Sequence, residues 1–243
     1  QAAQYKEEQI LFASPQKEDA SLLGIHFAIY VKDLLVKKFG EERVIRYGFK
    51  VKTTLNSTWQ QYAEQAVKNQ VLALRRNNAT NAAAVAIDPK TGAIPMMVGS
   101  YDWNDEEFGK ANMATTPRQP GSSFKPIIYA QGIKDHLITA ATLLDDKKKT
   151  FGGTYTPQNY DKRYRGLVTV RRSLANSLNV PAVDVMEQVG VNNGLNMAKR
   201  LGITTLESDE SYYGLSLVLG TGEVKLLELT NAYATFANKG VYT

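Results

Sequence analysis

"RQPGSSFKPIIYAQG", residues 118–132, is the stretch on which the reading of this chain turns. A Pro-Gly pair stands directly before two serines, Lys125 follows, and Pro126 sits inside a run that is otherwise helical in character. Proline is tolerated near the first turn of a helix, where its missing N–H has no partner to lose, so Pro126 pins the helix start close to Ser122 and Ser123. Residues i and i+3 share a helix face, which predicts Ser122 Oγ and Lys125 Nζ within hydrogen-bond reach and leaves Ser123 opposite Pro126. Ser122 is therefore the serine with an amine beside it. A helix N-terminus adds N–H donors and the positive end of the dipole, and a lysine whose pKa is lowered by burial can act as base for a hydroxyl that is a poor nucleophile unaided. A four-residue S-x-x-K is also what a capping serine and a solvated lysine give, so the chemistry needs a second element.

That element is "RRSLANSLNVPAV", residues 171–183, which carries Ser177-Leu178-Asn179 at the junction of two predicted helices, just before Val180-Pro181. A helix junction lets a hydroxyl and an amide project together, and the plain alternative is an ordinary C-terminal Asn cap.

Around these two elements the helical pattern dominates. "VTVRRSLANSLNVPAVDVMEQVGVNNGLNMAKRLGI" reads as three short helices split at Asn179–Pro181 and at Gly190, and "EVKLLELTNAYATFANKG" as a last amphipathic helix stopped by Gly240. Upstream, "NAAAVAIDPKTGAIPMMVGS" holds two apolar runs about Asp88-Pro89-Lys90-Thr91-Gly92, with Gly92 supplying the positive φ that a hairpin turn needs. Before it, "STWQQYAEQAVKNQVLALRRN" carries Trp59, Tyr62, Ala66 and Val67 at helical spacing behind an Asn56 or Ser57 cap. "GFKVKTTLN" alternates and predicts a strand. "SLLGIHFAIYVKDLLVKKFGEERV" predicts a helix with Ile25, Ile29, Leu34, Leu35 and Phe39 on its apolar side, ending at Gly40. The run "DDKKK" at 145–149 precedes a Gly-rich stretch and is expected to be a solvated loop.

Composition bounds the rest. The chain has 243 residues, 43% hydrophobic, enough for a substantial core. It has no cysteine, which removes thiolate nucleophiles, disulfides and zinc-thiolate sites. No stretch approaches the roughly 18 apolar residues of a membrane span, and "QAAQYKEEQI" has neither the cationic start nor the apolar run of a signal peptide. The net charge of +5 fits a mildly basic surface or an anionic partner, while no nucleic-acid module is legible. His26 and His136 stand alone, without the spacing of a zinc hydrolase or a Ser-His-Asp enzyme, and read as surface or satisfied core residues. "GTGEV" at 220–224 lacks the spacing of a phosphate loop and reads as a turn; no cofactor or metal site is predicted.

The pattern R-Q-P-G-S-S-F-K-P followed by S-L-N-V-P-A-V resembles the transpeptidase domain of penicillin-binding proteins, in particular the bifunctional class A type. "AAAVAIDPKTGAIPMMVGS" is similar to the family's opening hairpin and "GLSLVLGTGEVKLLELTNAYATFANKG" to its helix after the second motif. "HFAIYVKDLLVKKFGEERVIRYGFKVKTTLN" is similar to the linker from the glycosyltransferase domain. The resemblance implies an α/β (α+β) fold of the β-lactamase/transpeptidase type, an antiparallel sheet with a helical subdomain. It divides the chain into a linker region with a lead-in helix, 1–75, and the transpeptidase domain, 76–243. It implies Ser122 as the acylated nucleophile, Lys125 as its base, Ser177 as proton relay to the leaving amine and Asn179 as a donor to the substrate backbone. The implied reaction is D,D-transpeptidation of peptidoglycan stem peptides on the extracytoplasmic face of a bacterial membrane. β-Lactams would be covalent inhibitors, a glycosyltransferase domain would lie in the same parent chain, and no nucleic acid would be bound. Membrane attachment would come only through an N-terminal anchor outside this sequence.

Lys90-Thr91-Gly92 spells the family's third motif but sits in the predicted hairpin turn upstream of Ser122, whereas that motif lies on a strand downstream of S-x-N. The expectation is a domain cut before its third motif and its last strands. Two other readings share these residues: a D-Ala-D-Ala carboxypeptidase, and a catalytically silent peptidoglycan-binding or scaffold fragment. A β-lactamase is disfavoured, since Leu227 stands four before Asn231 where a hydrolytic glutamate would be needed.

Overall fold

Pro126 does fall in the first turn of a helix, α4 (Lys125–Lys134), entered through a 3-10 turn at Gly121–Phe124. In this computed structural model, which describes residues 23–243, α4 is the axis of the main core. Phe124, Ile127, Ile128, Tyr129, Gln131 and Gly132 are all buried. Against α4 lie α6 (Asn179–Val189), buried along nearly its whole length, and α7 (Val191–Arg200). Gly132 and Gly194 make this possible. A Cβ on Gly194 would stand 2.8 Å from Ile128 Cδ1 of α4, and one on Gly132 would stand 3.3 Å from Val189 Cγ2 of α6 and 3.0 Å from Ile138 Cδ1 in the segment that follows α4, so the elements approach to distances a larger residue forbids. A 3-10 stretch at Gly214–Leu219 closes the core with Leu217 and Val218.

The hairpin forms as β1 (Ala84–Ala86) antiparallel to β2 (Met96–Val98), in the register Ala84 opposite Val98. Its turn is tied by Gly92 N–H to the Asp88 carbonyl and by Asp88 N–H to the Ala93 carbonyl, with Gly92 at φ 70°. A two-stranded sheet is marginal alone. Here α3 (Ser57–Leu74) covers β2 through one side chain. Gln60, fully buried, donates from Nε2 to the Met97 carbonyl (2.8 Å) and accepts the Met97 N–H at Oε1 (3.0 Å), standing in for a neighbouring strand. Asn56 caps α3 by accepting the Trp59 N–H. The last helix, α8 (Leu226–Ala237), packs beside β1 and is closed by the Gly240 N–H bonding to the Thr235 carbonyl.

Several expectations are corrected. No strand forms over 48–56; the segment hydrogen-bonds to the hairpin through the Asn56 N–H on the Pro95 carbonyl and Thr54 Oγ1 on the Ile94 carbonyl, Leu55 packs into the cluster around Met97, and its alternation meets no partner strand among the described residues. The helix α1 (Ile25–Phe39) is present and stops at Gly40, but it buries His26 and Phe27 rather than Ile29, Leu34 or Phe39. On α3 the inward face is Gln60, Val67 and Val71, while Trp59 and Tyr62 are exposed. A short helix, α2 (Glu41–Arg46), follows α1 and buries nothing. The start of the predicted first helix at Ser21–Leu22 and the polar opening lie outside the described residues.

The charge run is also not a solvated loop. Asp145 and Asp146 belong to a strand, β3 (Leu143–Asp146), paired antiparallel with β4 (Gly166–Thr169), and Asp146 is fully buried. Lys149 is ion-paired with Asp184 and Glu187 of α6 and lies over the Phe151 ring. Both corrections have one cause: the partners come from segments 20 to 40 residues away, beyond any local pattern. His26 is a satisfied core residue, Nε2 at 2.9 Å from the Gly109 carbonyl and its pKa lowered by burial; His136 is exposed. No helix among the described residues is long and apolar enough to cross a membrane.

Candidate active site

Ser122 lies in the 3-10 turn, exposed, at the floor of a cleft of about 480 Å³. The turn is held from behind by backbone. Gly220 lies so close that a Cβ there would sit 2.2 Å from the Gly121 carbonyl oxygen, and Arg118 and Val224 exchange two N–H to carbonyl bonds of 2.9 Å. Tyr233 of α8 donates its hydroxyl to the Ser123 carbonyl at 2.8 Å. Ser123 Oγ donates to the Pro120 carbonyl at 2.6 Å, so its hydroxyl is occupied within the turn.

Lys125 is 1% exposed. Burying an amine penalises its charged form, and burial pushes Lys125 down to about 8 from the ordinary lysine value. Its Nζ donates to the Ser177 carbonyl (2.6 Å), to Ser177 Oγ (3.1 Å) and to Asn179 Oδ1 (2.7 Å). Three protons, three acceptors: the ammonium is fully engaged across the cleft. The expected hydrogen bond between Ser122 and Lys125 is therefore not made, and among the described residues Ser122 Oγ has no hydrogen-bond partner. The physical reason is stoichiometric. A protonated lysine has no lone pair to accept from a hydroxyl, and its donors go to the nearest acceptors.

Ser177 and Asn179 are brought there by a helix ending and a helix starting. The helix α5 (Val170–Ala175) closes with the Ser177 N–H on the Leu174 carbonyl (3.0 Å) and the Leu178 N–H on the Ser173 carbonyl (3.0 Å), the paired bonds of a Schellman cap. That motif demands a left-handed residue, usually Gly, and Ser177 takes it at φ 52°. The left-handed turn aims both the carbonyl and the hydroxyl of Ser177 at Lys125, while Leu178 is buried. Asn179 is then the first residue of α6, not a C-terminal cap, and the chain breaks at 176–178 rather than at Asn179–Pro181. Its amide orientation is unambiguous: Oδ1 faces the ammonium and Nδ2 donates to the Gln158 carbonyl at 2.8 Å.

The cleft's other wall is the 159–165 loop. Arg165 pairs with Asp161 at 2.7 Å, Tyr160 is fully exposed at the rim, and Asn159 is buried beneath them. Asn159, Asp146, Gly220 and Tyr233 were not singled out in the sequence for the site. Only the Gly220-Thr221-Gly222 pattern carried a local signal, and it read as a turn. Lys90-Thr91-Gly92 is indeed the hairpin turn, and it does not line the cleft. A larger cavity of about 580 Å³ between α1, the hairpin and α8 contains Lys225 and Glu228, which pair with each other at 3.0 Å.

Taken together, the four predicted residues converge: an exposed hydroxyl, a buried amine of lowered pKa, and a second hydroxyl and an amide that hold the amine. Residues 82–243 match the family model of the penicillin binding protein transpeptidase domain. Penicillin-binding protein 1F of Bacillus subtilis is 34% identical over 239 residues, covering 91% of this chain and 32% of that protein. Penicillin-binding protein 1A of Neisseria cinerea is 31% identical over 242 residues, covering 97% of this chain and 28% of that protein. The chain thus spans about a third of the length of such relatives. Among solved structures, Penicillin-Binding Protein 1A from Haemophilus influenzae superposes with a TM-score of 0.74 at 22% identity, covering 88% of this chain and 46% of that one. PonA1 from Mycobacterium tuberculosis in complex with penicillin V does so at 0.71 and 22%, covering 90% and 59%. These likenesses support the mixed helix-and-sheet fold with small antiparallel sheets.

Proposed function

Because the chain belongs to the penicillin-binding protein transpeptidase family, we propose that it is the acyl-transfer part of a peptidoglycan D,D-transpeptidase. Ser122 is its nucleophile, Lys125 the base, Ser177 the proton relay and Asn179 the substrate-backbone donor. The observation that carries this reading is the buried Lys125 amine, held by Ser177 and Asn179 beside a cleft that exposes Ser122. A lysine at about 8 is neutral in roughly a tenth of molecules at pH 7. Losing one proton frees the lone pair that the resting ammonium lacks, and that lone pair takes the Ser122 proton.

Ser122 Oγ then attacks the penultimate D-Ala carbonyl of a stem peptide. The C–N bond to the terminal D-Ala breaks, and the proton held by Lys125 passes by way of Ser177 Oγ to the departing amine. An amine from a neighbouring stem attacks the ester, forming the crosslink and returning the proton and the free Ser122 hydroxyl. A β-lactam carries the same acyl bond and acylates Ser122, and the position compared with a β-lactamase's hydrolytic glutamate holds no carboxylate. The residue four before Asn231 is Leu227, in a helix. The third motif, the membrane anchor and a glycosyltransferase domain belong, in this reading, to the rest of the full-length protein on the extracytoplasmic face.

Fluorescent penicillin tests the assignment. The full-length protein becomes covalently labelled and its Ser122→Ala variant does not. Equal labelling of the variant rules out Ser122, and an unlabelled wild type favours a silent peptidoglycan-binding module.

A further inference from the structure

Beneath the cleft wall lies a polar pair with no role in the chemistry above. Asn159 is 5% exposed and Asp146 not at all. Asn159 Nδ2 donates to both oxygens of Asp146, at 2.8 and 3.0 Å, and to the Arg163 carbonyl at 2.8 Å. Facing only acceptors, that end of the amide must be the nitrogen, so Oδ1 is the atom that receives the Asn179 N–H at 2.8 Å. Asp146 in turn accepts the Arg165 N–H at 3.0 Å, with the Arg165 guanidinium 3.9 Å away. Both carboxylate oxygens are hydrogen-bonded, and Asp146 lies at the end of β3, held by pairing with β4.

We propose that Asn159, braced by Asp146, is the positioning residue that sets the second motif against Lys125 and Ser122. The consequence for catalysis rests on the acyl-transfer reading; the geometry does not.

The N-cap residue of α6 makes no side-chain capping bond. The first N–H groups of a helix need acceptors, normally from the N-cap side chain. The N-cap of α6 is Leu178, a buried apolar side chain that offers none. The acceptor comes instead from Asn159, 20 residues away. The neighbouring Gln158 carbonyl takes Asn179 Nδ2. Residues 158 and 159 thus fix both the backbone and the side chain of Asn179, and Asn179 Oδ1 fixes one of the three Lys125 protons. A clamp anchored in β3 therefore reaches the amine through a single intermediate residue. If it loosens, the 177–179 corner withdraws, water reaches Lys125, and the burial that lowers its proton affinity is relieved. The other charges on this cleft, Arg165 and Asp161, are paired with each other.

The test is made on the full-length protein with Asn159→Ala and with the swap Asn159→Asp/Asp146→Asn. The swap keeps an acceptor for the Asn179 N–H, one donor bond between positions 146 and 159 and an acceptor for the Arg165 N–H; it gives up the second bond between the pair and the bond to the Arg163 carbonyl, which then faces a carboxylate oxygen. Penicillin labelling rate is followed against pH, together with thermal unfolding and amide exchange of the 177–181 segment. Misplacement of a catalytic group by about an ångström costs up to about 100-fold, so Asn159→Ala is expected to label at least about tenfold more slowly. Its pH midpoint should rise from about 8 toward the ordinary lysine value, and exchange at Asn179 should be faster. The swap should recover the rate to within about tenfold of wild type and restore the exchange. A purely structural role moves the melting temperature without moving the pH midpoint. A folded Asn159→Ala protein with less than tenfold slowing and an unchanged midpoint overturns the proposal. If that variant does not fold, the swap decides, and a folded swap slower than tenfold overturns it equally. If wild type does not label at all, the function reading falls, and the exchange of Asn179 still decides the clamp.

Discussion

Ser177 carries two burdens that substitution can separate, one in its backbone and one in its hydroxyl. At φ 52° it sits where an L side chain costs about 1–2 kcal/mol, a strain absent from glycine. Glycine gives back about 0.5–1 kcal/mol through the extra chain entropy it loses on folding. Ser177→Gly and Ser177→Ala both remove the Oγ contact to Lys125, so the difference between them isolates the backbone. Glycine should be the more stable by about 1 kcal/mol, which is about 2–4 °C in the melting temperature of a domain this size. Relative to wild type, alanine loses one long charge-assisted hydrogen bond, about 1 kcal/mol, while in glycine the relieved strain offsets that loss. Removing a proton relay costs about 100-fold or more in rate, so both variants should label with penicillin far more slowly than wild type, whatever their stability. The assay is thermal unfolding with labelling kinetics on the same preparations. An alanine variant as stable as the glycine one refutes the left-handed cap, and rapid labelling by folded Ser177→Gly refutes the relay.

Labelling of wild type should rise with pH about a midpoint near 8 and level off above it, because the neutral amine is the active form; a flat profile from pH 6 to 10 excludes Lys125 as base. The same shift acts on stability with a definite sign. The folded pKa lies below the unfolded one, so between about 8 and 10.5 the unfolded chain binds the extra proton and stability from this group rises with pH, by at most about 3 kcal/mol, as pH titration of urea unfolding would read. Gly220→Ala drives a Cβ into the Gly121 backbone from a left-handed position, and should cost more than about 2 kcal/mol and abolish labelling; a variant that keeps both would show that the turn yields. Lys149→Met, by contrast, removes partly exposed ion pairs to Asp184 and Glu187 and should cost less than about 1 kcal/mol, less still in high salt; a larger loss in chemical denaturation would mean the pairs are not solvent-screened.

Much of the site was already legible in the chain as written. Pro126 placed the helix start and with it the spacing of Ser122 and Lys125, and Gly92, Gly190 and Gly240 marked a turn and two helix ends, because φ restrictions act within a few residues. The helical character of the stretch after Ser122 and the break at Gly190 pointed to α4, α6 and α7, and the amphipathic pattern to α8, though the junction before α6 fell at 176–178. What failed was whatever depended on a distant partner. The alternation over 48–56 had no strand to pair with, and the charges at 145–149 had Asn159, Arg165 and Asp184 waiting elsewhere. The faces of α1 and α3 turned on which side the hairpin lay, and Gln60, polar by type, became the buried residue because it could bond the edge of β2.

The tertiary structure alone decided where the Lys125 protons go. Helical spacing put Lys125 three residues after Ser122, yet a charged amine has donors and no lone pair, and its acceptors are the carbonyl, hydroxyl and amide oxygens of residues 177 and 179. Local chain geometry chose the two groups; burial and the meeting of α4 with the start of α6 chose which of them is charged and what it faces. Short-range sterics are written residue by residue, whereas desolvation and hydrogen-bond competition exist only once distant segments share the same few ångströms.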